Sequence, residues 1–161
     1  AAEAAALAAS ALAVPGDPVC CHLPVGVEPG SLDLVTALAE QGREVLLPIV
    51  VGAAPLEWAR YDGSLVPGPF GLREPAGPRL GPGAIGRAAL VLVPALAVDR
   101  AGHRLGKGGG HYDRSLPLVR PGTPLVAVVR DEEVVDALPA EPHDVAMTAA
   151  LTPIGGYLPL G

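Results

Sequence analysis

The chain has 161 residues, half of them hydrophobic and 17% charged, which suits one folded domain over residues 1–161 and excludes a disordered segment. Its net charge of -6 excludes the clustered surplus of cations that marks a nucleic-acid partner. No apolar run reaches the length needed to cross a bilayer, so no membrane partner is expected.

The opening "AAEAAALAASALAV" has no basic leader and carries Glu3; its alanines and leucines predict a helix over 2–12. "PVCCHLPV" (18–25), bounded by proline and glycine, predicts a strand. Cys20 and Cys21 are adjacent, and neighbours on a strand point to opposite faces, so they read as two buried thiols of a reducing, cytoplasmic setting rather than a disulfide. Ser31 is placed to cap a helix running to Gln41, with Asp33 in its first turn, Leu34, Val35 and Leu38 on its apolar face and Gly42 beyond its end. "REVLLPIVV" (43–51), "AALVLVPALAV" (88–98) and "TPLVAVVR" (123–130) are unbroken apolar runs, as strands covered on both faces require. Pro48 and Pro94 mark strand ends or bulges within them. "DEEVVDAL" (131–138) reads as a helix, "VAMTAALTP" (145–153) as a final strand, and 53–86 as a long irregular insert rich in glycine and proline. Buried strands alternating with helices imply a three-layer α/β/α sandwich with a largely parallel sheet.

One segment stands apart. "RLGKGGGHYDR" (104–114) gathers four glycines, three cations, a histidine, a tyrosine and a carboxylate, and its Lys107 is the chain's single lysine. Glycines let a phosphate approach backbone N–H groups, which then form an anion nest, and a helix starting near Gly110 adds further free donors. Lys107 and Arg104 supply full charges, one as a mobile point and one as a planar fork. Asp113 would repel a bare phosphate but fits beside one if Mg2+ lies between them. The segment is neither a Walker A loop, since Gly108 follows Lys107 and Ala101 stands at the leading glycine, nor a dinucleotide fingerprint, since His111 takes the last glycine position.

"VLVPALAVDRAGHRLGKGGGHYDRSL" (91–116) closely resembles the signature segment of the 5-formyltetrahydrofolate cyclo-ligase family, P-x-x-A-F-D-x-x-G-x-R-L-G-x-G-x-G-Y-Y-D-R-x-L. "GLREP" (71–75) is similar to the family's G-I-x-E-P element, "REVLLPIV" to its second strand, and "LPAEPHD" (138–144) to its P-x-E-x-H-D stretch. The resemblance, over about residues 18–153, implies a sandwich related to the sugar-phosphate isomerase and CoA-transferase folds. It implies a cytoplasmic, monomeric enzyme that uses ATP and Mg2+ to cyclise 5-formyltetrahydrofolate, with or without a polyglutamate tail, to 5,10-methenyltetrahydrofolate. ADP and phosphate are released through a phosphorylated formyl intermediate. Carried over residue by residue, Arg104, Leu105, Gly106, Lys107, Gly108, Gly109, Gly110, His111 and Tyr112 line the ATP phosphates. Lys107 to His111 also border the formyl group, and Arg104, Lys107 and Tyr112 are the expected catalytic set. Asp113 and Asp144 match the metal positions, Glu28 the glutamate that recognises the pterin ring, and Leu23 an apolar contact to the same ligand. Trp58 is expected to stack on the folate or else to pack in the core, and Arg73 and Glu74 to meet the folate's polar end or to pin the insert.

The sequence departs from the family pattern in three places. The family's opening helix is basic, whereas here no cation precedes Arg43; His111 replaces the first tyrosine of Y-Y-D-R; and Val98 replaces an aromatic residue. The missing cations motivate one alternative, a catalytically weak protein that sequesters folate. A second is a sugar-phosphate or CoA-ester enzyme on the same fold, against which stands the absence of a second cationic cluster.

Overall fold

A computed structural model describes residues 2–23, 32–106, 110–142 and 144–161, apart from the side chain of Phe70. Helix α1 (Ala2–Ser10) buries Ala4, Leu7 and Ala8, the spacing of a single helical face, and ends in a 3-10 turn at Ala11–Ala13. Small side chains let it lie close against α2 (Leu32–Glu40), whose Leu34, Val35 and Leu38 are buried as expected. The stretch after α2 also satisfies carbonyls at the end of α1. Gln41 Nε2 donates to Ala8 at 2.8 Å, and the Arg43 guanidinium donates to Ala11, Val14 and Gly16 at 3.2, 2.6 and 3.0 Å. The first cation of the chain is therefore committed to closing a helix end. Ser31 lies outside the described residues.

The main sheet is built from β1 (Val19–Cys20), β2 (Val45–Ile49), β3 (Glu57–Arg60), β6 (Leu90–Pro94), β9 (Leu125–Val128), β11 (Ala149–Thr152) and β12 (Gly156–Pro159). Its order is β12-β11-β9-β6-β1-β2-β3. The five inner strands run parallel, while β3 and β12 close the two edges antiparallel. Along each inner strand alternate residues enter different layers. Val19, Val45, Leu47, Leu90, Leu92, Val126, Val128, Ala149 and Leu151 pack on α1 and α2. Cys20, Leu46, Val91, Val93, Leu125, Ala127 and Ala150 pack under Ala84, Ile85, Leu116, Leu56 and Trp58. Both faces are covered, which explains why the strands show no polar alternation. This is the expected α/β sandwich with a largely parallel sheet. No helix among the described residues is long and apolar enough to cross a membrane.

Four expectations need correction. The 53–86 insert is ordered: it supplies edge strand β3, a hairpin of β4 (Leu65–Pro67) and β5 (Arg73–Pro75), and a 3-10 segment over Pro82–Arg87. The 88–98 run is not one strand. It breaks after Pro94 into β6 and β7 (Ala97–Asp99), and β7 joins a small sheet between β8 (Arg104–Leu105) and β10 (Val134–Val135). The 131–138 helix does not form: a single 3-10 turn at Asp131–Glu133 leads into β10, whose two valines pair with Val98 and Asp99. Finally, the chain does not end its sheet at β11, because β12 folds back on it. Both prolines are tolerated where ladders run out: Pro94 is the last residue of β6, and Pro48 lies beyond the two residues of β2 that pair with β1.

Past β9, Asp131 holds the β11–β12 turn. Its carboxylate accepts from the Thr152 hydroxyl at 2.6 Å and from the N–H groups of Gly155 and Ile154 at 2.7 and 3.1 Å. Next to it, Arg130 reaches Glu3 of α1 at 2.8 Å.

Candidate active site

Strand order fixes where a ligand belongs. From β1 the chain moves one way to β2, and later strands add on the other side beginning with β6, so β1 and β6 flank the point where the order reverses. In open α/β sheets the crevice beyond the carboxyl ends of such strands is where ligands bind. Beyond β1 come Leu23, half-buried against the helical layer, and then residues 24–31, which include Glu28 and lie outside the described residues. Beyond β6 comes the glycine segment.

The segment is delivered by the β7–β8 hairpin. Its turn closes through Gly102, whose N–H donates to the Asp99 carbonyl at 3.0 Å and whose φ of +97° suits glycine. A Cβ there would also collide with the Met147 carbonyl. The Asp99 carboxylate accepts four hydrogen bonds: Ala101 N–H at 3.0 Å and His103 N–H at 2.8 Å on Oδ1, His103 Nδ1 at 2.8 Å and Leu138 N–H at 2.9 Å on Oδ2. Burial alone would push this carboxyl up, but the His103 and Leu138 hydrogen bonds outweigh it and hold Asp99 below the usual carboxylate range.

Arg104 follows directly. Its side chain is only 8% exposed and spans two elements, donating from Nη1 to the Pro94 carbonyl at 3.3 Å and from Nη2 to Asp113 Oδ1 at 2.8 Å. The first contact fixes the guanidinium over the end of β6; the second ties it to α3 (His111–Ser115). Asp113 itself is 69% exposed, so its carboxylate faces water as well as arginine. Leu105 projects outward from β8, which is an edge strand of its sheet.

At the two described ends of the loop a Cβ would meet the tips of arginine side chains. A Cβ on Gly106 would stand 3.0 Å from Arg104 Nη1, and one on Gly110 2.7 Å from Arg114 Nη1. Gly110, with φ of +74°, also turns the chain into α3. Lys107, Gly108 and Gly109 lie outside the described residues.

Helix α3 is anchored from three sides. His111 Nε2–H donates to the Gly52 carbonyl at 3.1 Å, a carbonyl being able only to accept. The Ser115 hydroxyl, fully buried, donates to the His111 carbonyl at 2.6 Å and accepts Leu56 N–H at 2.9 Å. The ring of Tyr112 meets Trp58 edge-on, with centroids 6.5 Å apart and planes at 77°. Trp58 is fully buried on β3, beneath α3, and its Nε1–H has no acceptor among the described residues. On the far side of the 50–56 loop, Glu74 Oε2 accepts Val50 N–H at 3.0 Å, so at least one oxygen of Glu74 pins the insert.

Arg104, Leu105, Gly106, Gly110, His111, Tyr112 and Asp113 are thus brought together on one hairpin-and-helix unit. Asp144 sits in a separate tight turn, where its Oδ2 accepts Glu141 N–H at 2.8 Å. Among the described residues no group of three or more His, Cys, Asp and Glu side chains could hold a metal ion. The donor chemistry of Asp113 and Asp144 suits Mg2+ all the same, which takes one or two carboxylates and completes its shell with water and phosphate oxygens. Sequence reasoning missed Ser115 and the linking role of Asp99. Asp99 was visible as a motif position, whereas nothing local distinguishes Ser115, whose partner Leu56 is 59 residues away.

Comparison with known proteins agrees with this geometry. Residues 2–153 match the model of the 5-formyltetrahydrofolate cyclo-ligase family. The chain is 51% identical over 157 residues to a 5-formyltetrahydrofolate cyclo-ligase of Mycolicibacterium smegmatis, covering 94% of this chain and 81% of the relative. It is 32% identical over 132 residues to the Escherichia coli protein of the same name, covering 77% and 72%. In three dimensions it is similar to the 5,10-methenyltetrahydrofolate synthetase of Aquifex aeolicus, with a TM-score of 0.76, 26% identity, and coverage of 94% of this chain and 78% of that one. The synthetase of Mycoplasma pneumoniae shares the fold at a TM-score of 0.67 and 18% identity, covering 92% and 82%. A family match over residues 2–153, joined to close kinship with a named relative, makes this chain a member of the 5-formyltetrahydrofolate cyclo-ligase family and an enzyme of that activity.

Proposed function

We propose that the enzyme closes the folate ring at the expense of ATP, with Mg2+ as its metal, through a phosphorylated formyl group. The formyl oxygen attacks the γ-phosphorus and ADP leaves. N10 then attacks the activated carbon and gives up its proton. The C–O bond breaks toward phosphate, leaving the N5–CH–N10 methenyl bridge. An amide-like oxygen is a poor leaving group and a phosphate a good one, so the chemistry needs positioning and charge neutralisation more than a strong base.

The observation that carries this reading is Arg104, a nearly buried guanidinium fixed between the end of β6 and Asp113 at the mouth of the crevice. It holds a preset positive charge where triphosphate charge would develop, and needs little reorganisation to meet it. Lys107 adds a second cation, and the amides of 106–110 supply donors. Tyr112 and His111 shape the wall toward the formyl group. Glu28 pairs with the adjacent N–H donors of the pterin ring, and Leu23 lies under its apolar face. Trp58 floors the site through Tyr112, in line with its burial. Asp113 and Asp144 would hold Mg2+, which when bound shields the phosphate oxygens from the incoming nucleophile.

The test mixes protein, 5-formyltetrahydrofolate, ATP and Mg2+ and follows methenyl absorbance. The reading expects a rise that disappears when either ATP or Mg2+ is omitted. A folded protein that binds the folate without turnover would instead favour the sequestering role, for which the lack of any cation in α1 is the supporting feature.

A further inference from the structure

We infer that Asp99 is a positioning residue that couples the two arms of the site, the β7–β8 hairpin presenting Arg104 and the stretch from Leu138 that leads toward Asp144. The inference rests on the nucleotide-and-metal reading of those arms given above.

The coupling follows from how the carboxylate is used. Asp99 is 2% exposed, and its four acceptor positions are filled two to each oxygen. Oδ1 serves the hairpin turn alone, through Ala101 and His103. Oδ2 is shared between the arms, taking the His103 imidazole from one and the Leu138 amide from the other. The backbone repeats the arrangement: Val135 of β10 lies opposite Asp99 in a parallel pair, while Arg104 of β8 lies opposite Val98. A shift of either arm therefore strips hydrogen bonds from a buried charge, so the low-energy movement is of both together. Such a link ties the hairpin that presents Arg104 to Leu138, six residues before Asp144. A single triphosphate with its ion touches both arms in the proposed chemistry and gains from their being fixed in advance.

The experiment compares the parent with Asp99→Asn and His103→Ala, well below their melting temperatures. It measures KM for MgATP, KM for 5-formyltetrahydrofolate, the Mg2+ concentration at half-saturation, and amide hydrogen exchange over 100–105 and 138–142. The amide that Asp99→Asn introduces keeps one acceptor oxygen and loses the other. The expected result is a rise of about tenfold in both KM for MgATP and half-saturating Mg2+, an unchanged KM for the folate, and faster exchange in both segments together. His103→Ala cuts only the hairpin arm. It should raise KM for MgATP and exchange over 100–105 while leaving Mg2+ half-saturation and 138–142 as in the parent. If Asp99→Asn fails to fold, exchange in the parent decides: matched protection over 100–105 and 138–142 supports a shared unit, and protection that differs between them opposes it. Uniform changes in all three kinetic constants, or loosening of 100–105 by Asp99→Asn without 138–142, would overturn the inference. Absence of turnover in the parent would sink the proposed function instead, and the exchange data would still judge the coupling.

Discussion

Gly102 and Gly122 form a natural pair for separating two costs of replacing glycine. Both have positive φ, +97° and +87°. A Cβ on Gly122 meets nothing within 4 Å, whereas one on Gly102 runs into the Met147 carbonyl. Gly122→Ala therefore carries left-handed strain of about 1–2 kcal/mol, reduced by a gain of ~0.4–1 kcal/mol from the stiffer unfolded chain, for a net loss near ~1 kcal/mol. Gly102→Ala bears the same term and must also push Met147 away, breaking the 2.8 Å bond from Met147 N–H to the Gly102 carbonyl in a buried place. Leaving such a donor without a partner costs ~1–3 kcal/mol, so the total is about 3 kcal/mol. At roughly 2–4 °C of Tm per kcal/mol for a chain of this size, Gly122→Ala should melt a few degrees low and Gly102→Ala about 6–12 °C low. Differential scanning calorimetry of the two variants beside the parent decides. Equal shifts would refute the claim that contact with Met147, rather than backbone conformation, makes glycine necessary at 102.

Other outcomes follow from individual contacts. Ser115→Ala leaves the buried Leu56 N–H without its acceptor and should cost ~1–3 kcal/mol, read as a lower Tm; a variant melting with the parent would show the hydroxyl to be dispensable. Arg104→Lys keeps the charge, but an ammonium cannot reproduce the planar fork that meets both Pro94 and Asp113. Its kcat/KM for MgATP should fall at least about tenfold with little change in Tm, and parental kinetics would argue against a positioned guanidinium. Asp99 and Asp131 both sit below the ordinary carboxylate range. At Asp131 the Thr152 hydroxyl is the main cause, with burial opposing and the Gly155 and Ile154 amides adding to the lowering. A carboxyl depressed in the fold contributes stability above its unfolded pKa of about 4 and loses that contribution as pH falls through its folded value. Denaturation midpoints should therefore drop below about pH 4, and Asp131→Asn should flatten that acid limb. An unchanged limb would mean that Asp131 does not feed acid stability.

Much of this arrangement was legible in the sequence because it is local or periodic. The three apolar runs gave β2, β6 and β9, the alanines and leucines gave α1, and the order of residues from Val91 to Leu116 gave the motif position of Arg104 and the short helix that carries Asp113. What escaped depends on distant partners. Residues 131–138 have a helical composition, but Val134 and Val135 are drawn onto the free edge of β7, and tertiary pairing outweighs local preference. Strand β3 is only four residues long and lies among prolines and glycines, so no alternation announced it. The break after Pro94 becomes visible only once β7 is seen pairing away from the main sheet. The same holds within the site. Arg104 could be named from its motif, whereas the carbonyl it grips, and the serine that fastens α3 to Leu56, are set by packing alone.

The two thiols of β1 offer a built-in reporter. Though neighbours in sequence, Cys20 faces the layer beneath α3 and Trp58, and Cys21 faces the helical layer. Burial pushes both well above the usual thiol range, Cys21 to about 12, so neither is nucleophilic until it meets water. Alkylation of the unaltered chain would then time the parting of each side of the sheet separately. A ligand seated in the crevice should slow modification of Cys20 more than that of Cys21.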